Sequence, residues 1–202
     1  NSMAFDSANK EIYLGEASGD FEKYNPATDA VTVLTSKISS FWSTNYIYSL
    51  AFDSVNNMIY VGGNNGKFAK YDPTTGIATD LTSALNTAAS WSTSAVNALV
   101  FDSANKTIYI GGGNNKFAKY DPTTNSFTNL TSTLNWSGAT VQSLTFDSVN
   151  NVIYVAGSTG TWPYTKFSRY IPALDSAEDL LSYMPSSQNS QHIYASALSP
   201  SN

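Results

Sequence analysis

Four aspartates recur at matched places in this 202-residue chain: Asp6, Asp53, Asp102 and Asp147, each inside a Phe-Asp-Ser tripeptide. Carboxylates that converge on a pocket can move protons or hold a cation. Here each is followed by Ser-Ala-Asn or Ser-Val-Asn, and in such turns a carboxylate accepts backbone N–H groups two residues on. The four acids are therefore read as turn caps. Asp72 and Asp121 precede Pro73 and Pro122 and receive the same reading. No acidic spacing matches a calcium loop. The single histidine, His192, lies in an apolar tail and reads as part of a closing strand rather than as a base. Cysteine is absent, which removes thiol nucleophiles, disulfides and zinc–thiolate sites. The glycine-rich segments Gly62–Lys67 and Gly111–Lys116 have no following helix whose N-terminus could hold a phosphate. The sequence thus predicts no enzyme, no metal and no cofactor.

The aromatic residues offer different chemistry. Trp42, Trp91 and Trp136 each stand eight residues ahead of a strand leucine, at Leu50, Leu99 and Leu144. Trp162 and Tyr164 lie in a longer glycine-containing segment. Asn64, Asn65, Asn114 and Asn115, with Ser43, Ser92 and Ser137, belong to the same kinds of loop. Flat rings beside amides and hydroxyls supply the stacking surface and directional hydrogen bonds that a neutral sugar needs. The competing reading is that each tryptophan wedges between adjacent repeats and recurs because the repeats do. Three N-x-[ST] sequons, at Asn105, Asn129 and Asn135, matter only in a secreted eukaryotic context.

These residues are positioned by an internal repeat. The Phe-Asp-Ser tripeptides are spaced by 47, 49 and 45 residues, and the Ile-Tyr pairs ending at Tyr13, Tyr60, Tyr109 and Tyr154 follow the same steps. Each repeat divides into four strands. The first is apolar and ends at the aspartate turn, a hairpin signal. The second is β-branched and aromatic and ends in glycine. The third ends at Tyr24, Tyr71, Tyr120 or Tyr170, just before a proline turn that must stop the ladder. The fourth is short and Thr-rich. A Ser/Thr/Ala-rich connection leads to the next repeat. Such a meander cannot bury both faces alone, and packing sheet on sheet around an axis solves that.

Ile108 to Thr131, IYIGGGNNKFAKYDPTTNSFTNLT, resembles a kelch-type blade: a Tyr-x-x-Gly-Gly strand end, then Tyr-Asp-Pro and a Thr-Asn turn. The FDSxNxxIYVGG run is also similar to the blades of periplasmic sensor propellers and other bacterial surface propellers. The kelch-type Trp after the turn is replaced by Val31, Ala78 and Phe127. The resemblance implies an all-β propeller of four-stranded antiparallel blades. We expect one domain over 1–202, with repeats near 1–45, 46–95, 96–140 and 141–191. The segment 192–202 would be a strand that latches a four-bladed ring. The alternative is that the chain is part of a larger propeller, or that another chain completes the ring and makes an oligomer.

Composition bounds the function class. Charged residues are 12% and net charge is −5, and lysines are scattered one to three per repeat, which argues against nucleic acid. No run of about 20 apolar residues suits insertion in a membrane. The expected function is a non-enzymatic extracellular or cell-surface module, with the periplasm also open, that binds a glycan or protein partner through one loop face. A structural repeat domain of a surface protein or filament and a fragment of a glycan-active enzyme are the alternatives.

Overall fold

A computed structural model describes residues 2–160 and 165–184. It is an all-β chain of four antiparallel four-stranded meanders, the blades of a β-propeller. Blade 1 holds β1 (Ser2–Asp6), β2 (Glu11–Gly15), β3 (Phe21–Asn25) and β4 (Ala30–Val33). Blade 2 holds β5 (Ile47–Asp53), β6 (Met58–Gly63), β7 (Phe68–Asp72) and β8 (Ile77–Asp80). Blade 3 holds β9 (Val96–Asp102), β10 (Thr107–Gly112), β11 (Phe117–Asp121) and β12 (Ser126–Asn129). Blade 4 holds β13 (Ala139–Asp147), β14 (Val152–Thr159), β15 (Thr165–Ile171) and β16 (Ser176–Asp179). The first strands line up in sequence order, β1 against β5, β5 against β9 and β9 against β13. The expected latch, 192–202, lies outside the described residues, as do Trp162, Tyr164 and His192. Among the described residues no helix is long and apolar enough to cross a membrane.

The blades are held by one aromatic joint, made three times. Tyr13 and Phe21 stack with centroids 5.8 Å apart, and Tyr71 of blade 2 meets Phe21 edge-on at 5.4 Å. Tyr60 and Phe68 receive Tyr120 of blade 3 in the same way. Tyr109 and Phe117 receive Tyr170 of blade 4. Around each joint lies a buried cluster, such as Leu34, Ile38 and Trp42 from one side with Ile59, Val61 and Ala69 from the other. Period-two alternation along each strand supplies one face to each neighbour, which is why the second strands of blades 2 and 3, Met-Ile-Tyr-Val-Gly-Gly and Thr-Ile-Tyr-Ile-Gly-Gly, are almost wholly apolar.

The sequence reading leaves the links between blades as plain connections, and here the structure differs. Thr35–Trp42 and Thr82–Ala89 are helices α1 and α2, and Thr131–Leu134 is a 3-10 turn. Leu34 with Ile38, and Leu81 with Leu85, are apolar four residues apart and drop into the interblade clusters. Tertiary burial thus makes helices from segments whose Ser and Thr content alone favours loops. Blade 4 has longer strands than the other blades, with nine residues in β13 and eight in β14.

The four aspartates are buried turn caps. Asp53 Oδ1 accepts from the Val55 and Asn56 backbone N–H groups at 2.9 and 3.0 Å, and Oδ2 accepts from Asn56 Nδ2 at 2.7 Å. Asp6, Asp102 and Asp147 repeat this set with Asn9, Asn105 and Asn150. Lys10, Asn57, Lys106 and Asn151 complete these hairpins with positive φ.

Asp53→Ala leaves three donors without their acceptor and is expected to lower stability by about 1–3 kcal/mol in chemical denaturation; an unchanged midpoint would contradict the capping role. The Asn150 amide, then the backbone N–H groups of Asn150 and Val149, hold the Asp147 carboxyl below its ordinary 3.8. A depressed folded-state value contributes stability that is full above the ordinary carboxylate range and lost as pH falls through the depressed value. The melting temperature should therefore drop below about pH 4, and Asp147→Asn should flatten that drop.

Candidate functional site

The loop face carries the links between blades and the turns between second and third strands. The structure puts the three tryptophans beneath this face, not on it. Trp42, Trp91 and Trp136 are all buried. A Cβ at Gly63 would sit 2.7 Å from the Trp42 ring, and one at Gly112 would sit 2.6 Å from the Trp91 ring. Gly157 takes the Trp136 ring in the same way, at 3.1 Å. Each indole fills the angle between two blades, over a strand end that must be glycine to admit it. Trp42 Nε1 donates to the Asn45 carbonyl at 2.7 Å, and Trp136 Nε1 donates to Ser168 Oγ at 3.0 Å. The expectation that these three rings stack on a ligand is therefore corrected: they are wedges.

The amides are largely committed as well. Asn115 Nδ2 donates to the Trp136 carbonyl at 2.7 Å, and its Oδ1 accepts from the Ala139 N–H. Asn65 Nδ2 donates to Asn45 Oδ1 at 2.8 Å, and Asn114 Nδ2 donates to Ser94 Oγ at 3.2 Å. The Asn65 and Asn114 bonds tie each inter-strand turn to the link that enters the same blade, and those of Asn115 tie the blade 3 turn to the link that enters blade 4. Asn65 and Asn114 remain exposed at the surface with positive φ. Asn64 is half-buried, and its Oδ1 is buried without a partner among the described residues.

What the loop face does present is a tyrosine pair. Tyr46 and Tyr48 are 46% and 38% exposed, with ring centroids 6.1 Å apart and planes at 85°. Tyr48 stands at a β-bulge: Ile47 pairs with Gly63 and Ser49 with Gly62, so Tyr48 is skipped by the register. The same bulge recurs at Asn97 and Gln142 on the neighbouring first strands. A bulge re-aims the extra side chain away from the pleat. Asn97 Nδ2 donates to the Val141 carbonyl at 3.2 Å, which ties its bulge to that of blade 4, and Gln142 Oε1 is buried without a partner among the described residues. Sequence reasoning passed over these positions, although Ile-Tyr-Ser, Val-Asn-Ala and Val-Gln-Ser recur at matched places. The skipped residue becomes visible only once the pairing is known.

At the opposite, hairpin end of the first strands, Phe5, Phe52 and Phe101 with Ser7, Ser54 and Ser103 line a cavity of about 450 Å3. The aspartates between these residues are spent on their turns.

No family model matches this chain, and no curated protein matches its sequence. Its fold is similar to solved structures. The extracellular domain of a protein described as the hybrid two component system BT4673 from B. thetaiotaomicron superposes with a TM-score of 0.71 and 21% identity, over 96% of this chain and 24% of that one. A second structure of the BT4673 extracellular domain, described as a one component system, gives 0.71 at 20% identity over the same shares. The chain spans about a quarter of the length of these neighbours.

Trp91→Ala should remove a wedge at a cost of about 3–5 kcal/mol. Gly112→Ala should also destabilise, because its methyl would lie 2.2 Å from the Ala95 carbonyl oxygen. Chemical denaturation checks both, and a Trp91→Ala variant as stable as the parent would restore the ligand-facing reading.

Proposed function

We propose that this chain is a non-enzymatic, extracellular binding module whose loop face takes a neutral glycan. The observation that carries the reading is the exposed Tyr46–Tyr48 pair, standing at the first of three matched bulges. Two phenol rings near a right angle make a corner into which the apolar face of a sugar can stack, and their hydroxyls donate and accept at its rim. Asn65 and Asn114 supply further amide groups on the same loops. Residues 43–49 and the turn 64–66 carry no charged side chain, which suits a neutral ligand rather than an acidic one.

Three features support a binding role over catalysis and an extracellular setting. The repeated carboxylates are saturated by their own turns. The chain has no cysteine and a surface rich in Ser, Thr and Asn. The similar structures are of extracellular domains.

A glycan array, followed by calorimetric titration of any hit, tests the reading. Saturable binding is expected, with Tyr48→Ala and Tyr46→Ala each weakening it at least tenfold, about 1.4 kcal/mol, while the melting temperature stays near that of the parent. A blank array with control lectins reporting, or binding untouched by both substitutions, overturns the glycan reading.

A further inference from the structure

Beside its aromatic contact, each joint between blades has a second position, and the three joints fill it in three ways. The position is set by the residue two before the buried second-strand tyrosine, which is Glu11, Met58 or Thr107. It is also set by the lysine paired with that tyrosine across the sheet, which is Lys23, Lys70 or Lys119. Between blades 1 and 2, the Lys23 ammonium donates to both oxygens of the Glu11 carboxylate, at 2.9 and 3.0 Å. Between blades 2 and 3, Met58 and Phe127 pack against the buried cluster, with the Phe127 ring 4.6 Å from that of Tyr120. Between blades 3 and 4, the matched residues are the shorter Thr107 and, in the register position of Phe127, Ala177. A cavity of about 260 Å3 lies here, lined by Thr107 and Tyr109 of β10, Lys119 and Asp121 of β11, and Pro172 of blade 4.

Lys119 does not have the carboxylate that Lys23 holds. Its Nζ lies 3.9 Å from Asp175 Oδ1, beyond hydrogen-bond length, and that oxygen already accepts from the Tyr170 hydroxyl at 2.5 Å. Across the three strands Lys119 stands between Tyr109 and Thr128, and Ser126 is opposite Asp121 in the next row. Tyr109 and Thr107 are 1% and 8% exposed, so the inner wall is buried, whereas Ser126 and Thr128 at the mouth are exposed. Asp121 Oδ1 takes the N–H groups of Thr123 and Thr124, at 2.8 and 3.4 Å, and a carboxylate has further lone pairs to offer a donor. A bare anion on Lys119 would also meet the charge of Asp121. A molecule with a carboxylate at one end and hydroxyls at the other satisfies both groups. Asn1, 161–164 and 185–202, which lie outside the described residues, contain no Asp or Glu, so no side-chain carboxylate of theirs takes the place.

We propose that this cavity is a second binding site, separate from the Tyr46–Tyr48 corner, and that it takes a small hydroxylated carboxylate. The ligand's carboxylate sits on Lys119 as that of Glu11 sits on Lys23. Its hydroxyls donate to Asp121 and exchange hydrogen bonds with Ser126 and Thr128 at the mouth. Blade 1 thus carries, within the chain, the template for a contact that blade 3 leaves to a ligand.

Calorimetric titration of the full chain with gluconate tests this. Saturable binding is expected. Sorbitol, which has no carboxylate, and hexanoate, which has no hydroxyls, should each bind more weakly by about tenfold or more. Lys119→Met should remove gluconate binding, and Lys70→Met, at the joint that Met58 and Phe127 fill, should leave it intact. Thr107→Glu supplies an internal carboxylate to Lys119 and should abolish binding, with a melting temperature equal to or above that of the parent. No gluconate binding up to about 50 mM, either control bound as tightly as gluconate, or binding untouched by Lys119→Met or by Thr107→Glu overturns the proposal.

Discussion

Everything in this chain hangs on one contact, a tyrosine from each of blades 2, 3 and 4 set edge-on against the stacked tyrosine and phenylalanine of the blade before. A four-stranded meander buries little by itself. Its two faces become useful only when neighbouring blades cover them. Edge-to-face aromatic packing adds direction to area burial, so the joint sets how one blade sits on the next as well as how strongly. Burial also keeps these phenols neutral: desolvation raises the ionisation of Tyr60 and Tyr109 well above the ordinary value. The cost of burying Tyr170 and Tyr120 is met within the same blade, through the side chains of Asp175 and Asn125.

Polar groups are spent on holding the turns. The aspartate hairpins, the Asp-Pro turns and the asparagine staples each satisfy backbone N–H or carbonyl groups that a rapidly turning chain leaves open. Asp72, for example, accepts from the Thr75 hydroxyl and from the backbone of Thr74 and Thr75. Acids and amides committed in this way are poorly placed for proton transfer. Tyr46 and Tyr48 are exposed and are required by neither turn nor joint.

The glycines connect these themes. Gly62 and Gly111 let Val96 and Val141 of the next blade approach, and Gly63 and Gly112 let a tryptophan and a backbone carbonyl do so. The Gly-Gly strand end is therefore a packing device for both the neighbouring strand and the wedge. It also sets the bulge opposite, since the pairing shifts by one residue where the second glycine pairs. Close approach at the wedge and display of Tyr48 at the surface are two consequences of the same strand end.

The sequence by itself determined the repeat, the four-strand division, the turn chemistry and the propeller blade. These depend on local periodicity and on Gly, Pro, Asp and Asn, whose preferences act over a few residues. It left the tryptophans undecided, because a ring that recurs with the blade is expected equally of a wedge and of a ligand platform. The tertiary structure decided that question by burying Trp42, Trp91 and Trp136 over glycine. It turned Ser- and Thr-rich links into helices through Ile38 and Leu85, and it singled out Tyr48 through a register shift that no linear pattern displays. It also separated Met3 from Leu50, which sequence alone treats as equivalents. Exposure is a property of what lies on the other side of a side chain, and that neighbour is supplied by residues a whole repeat away.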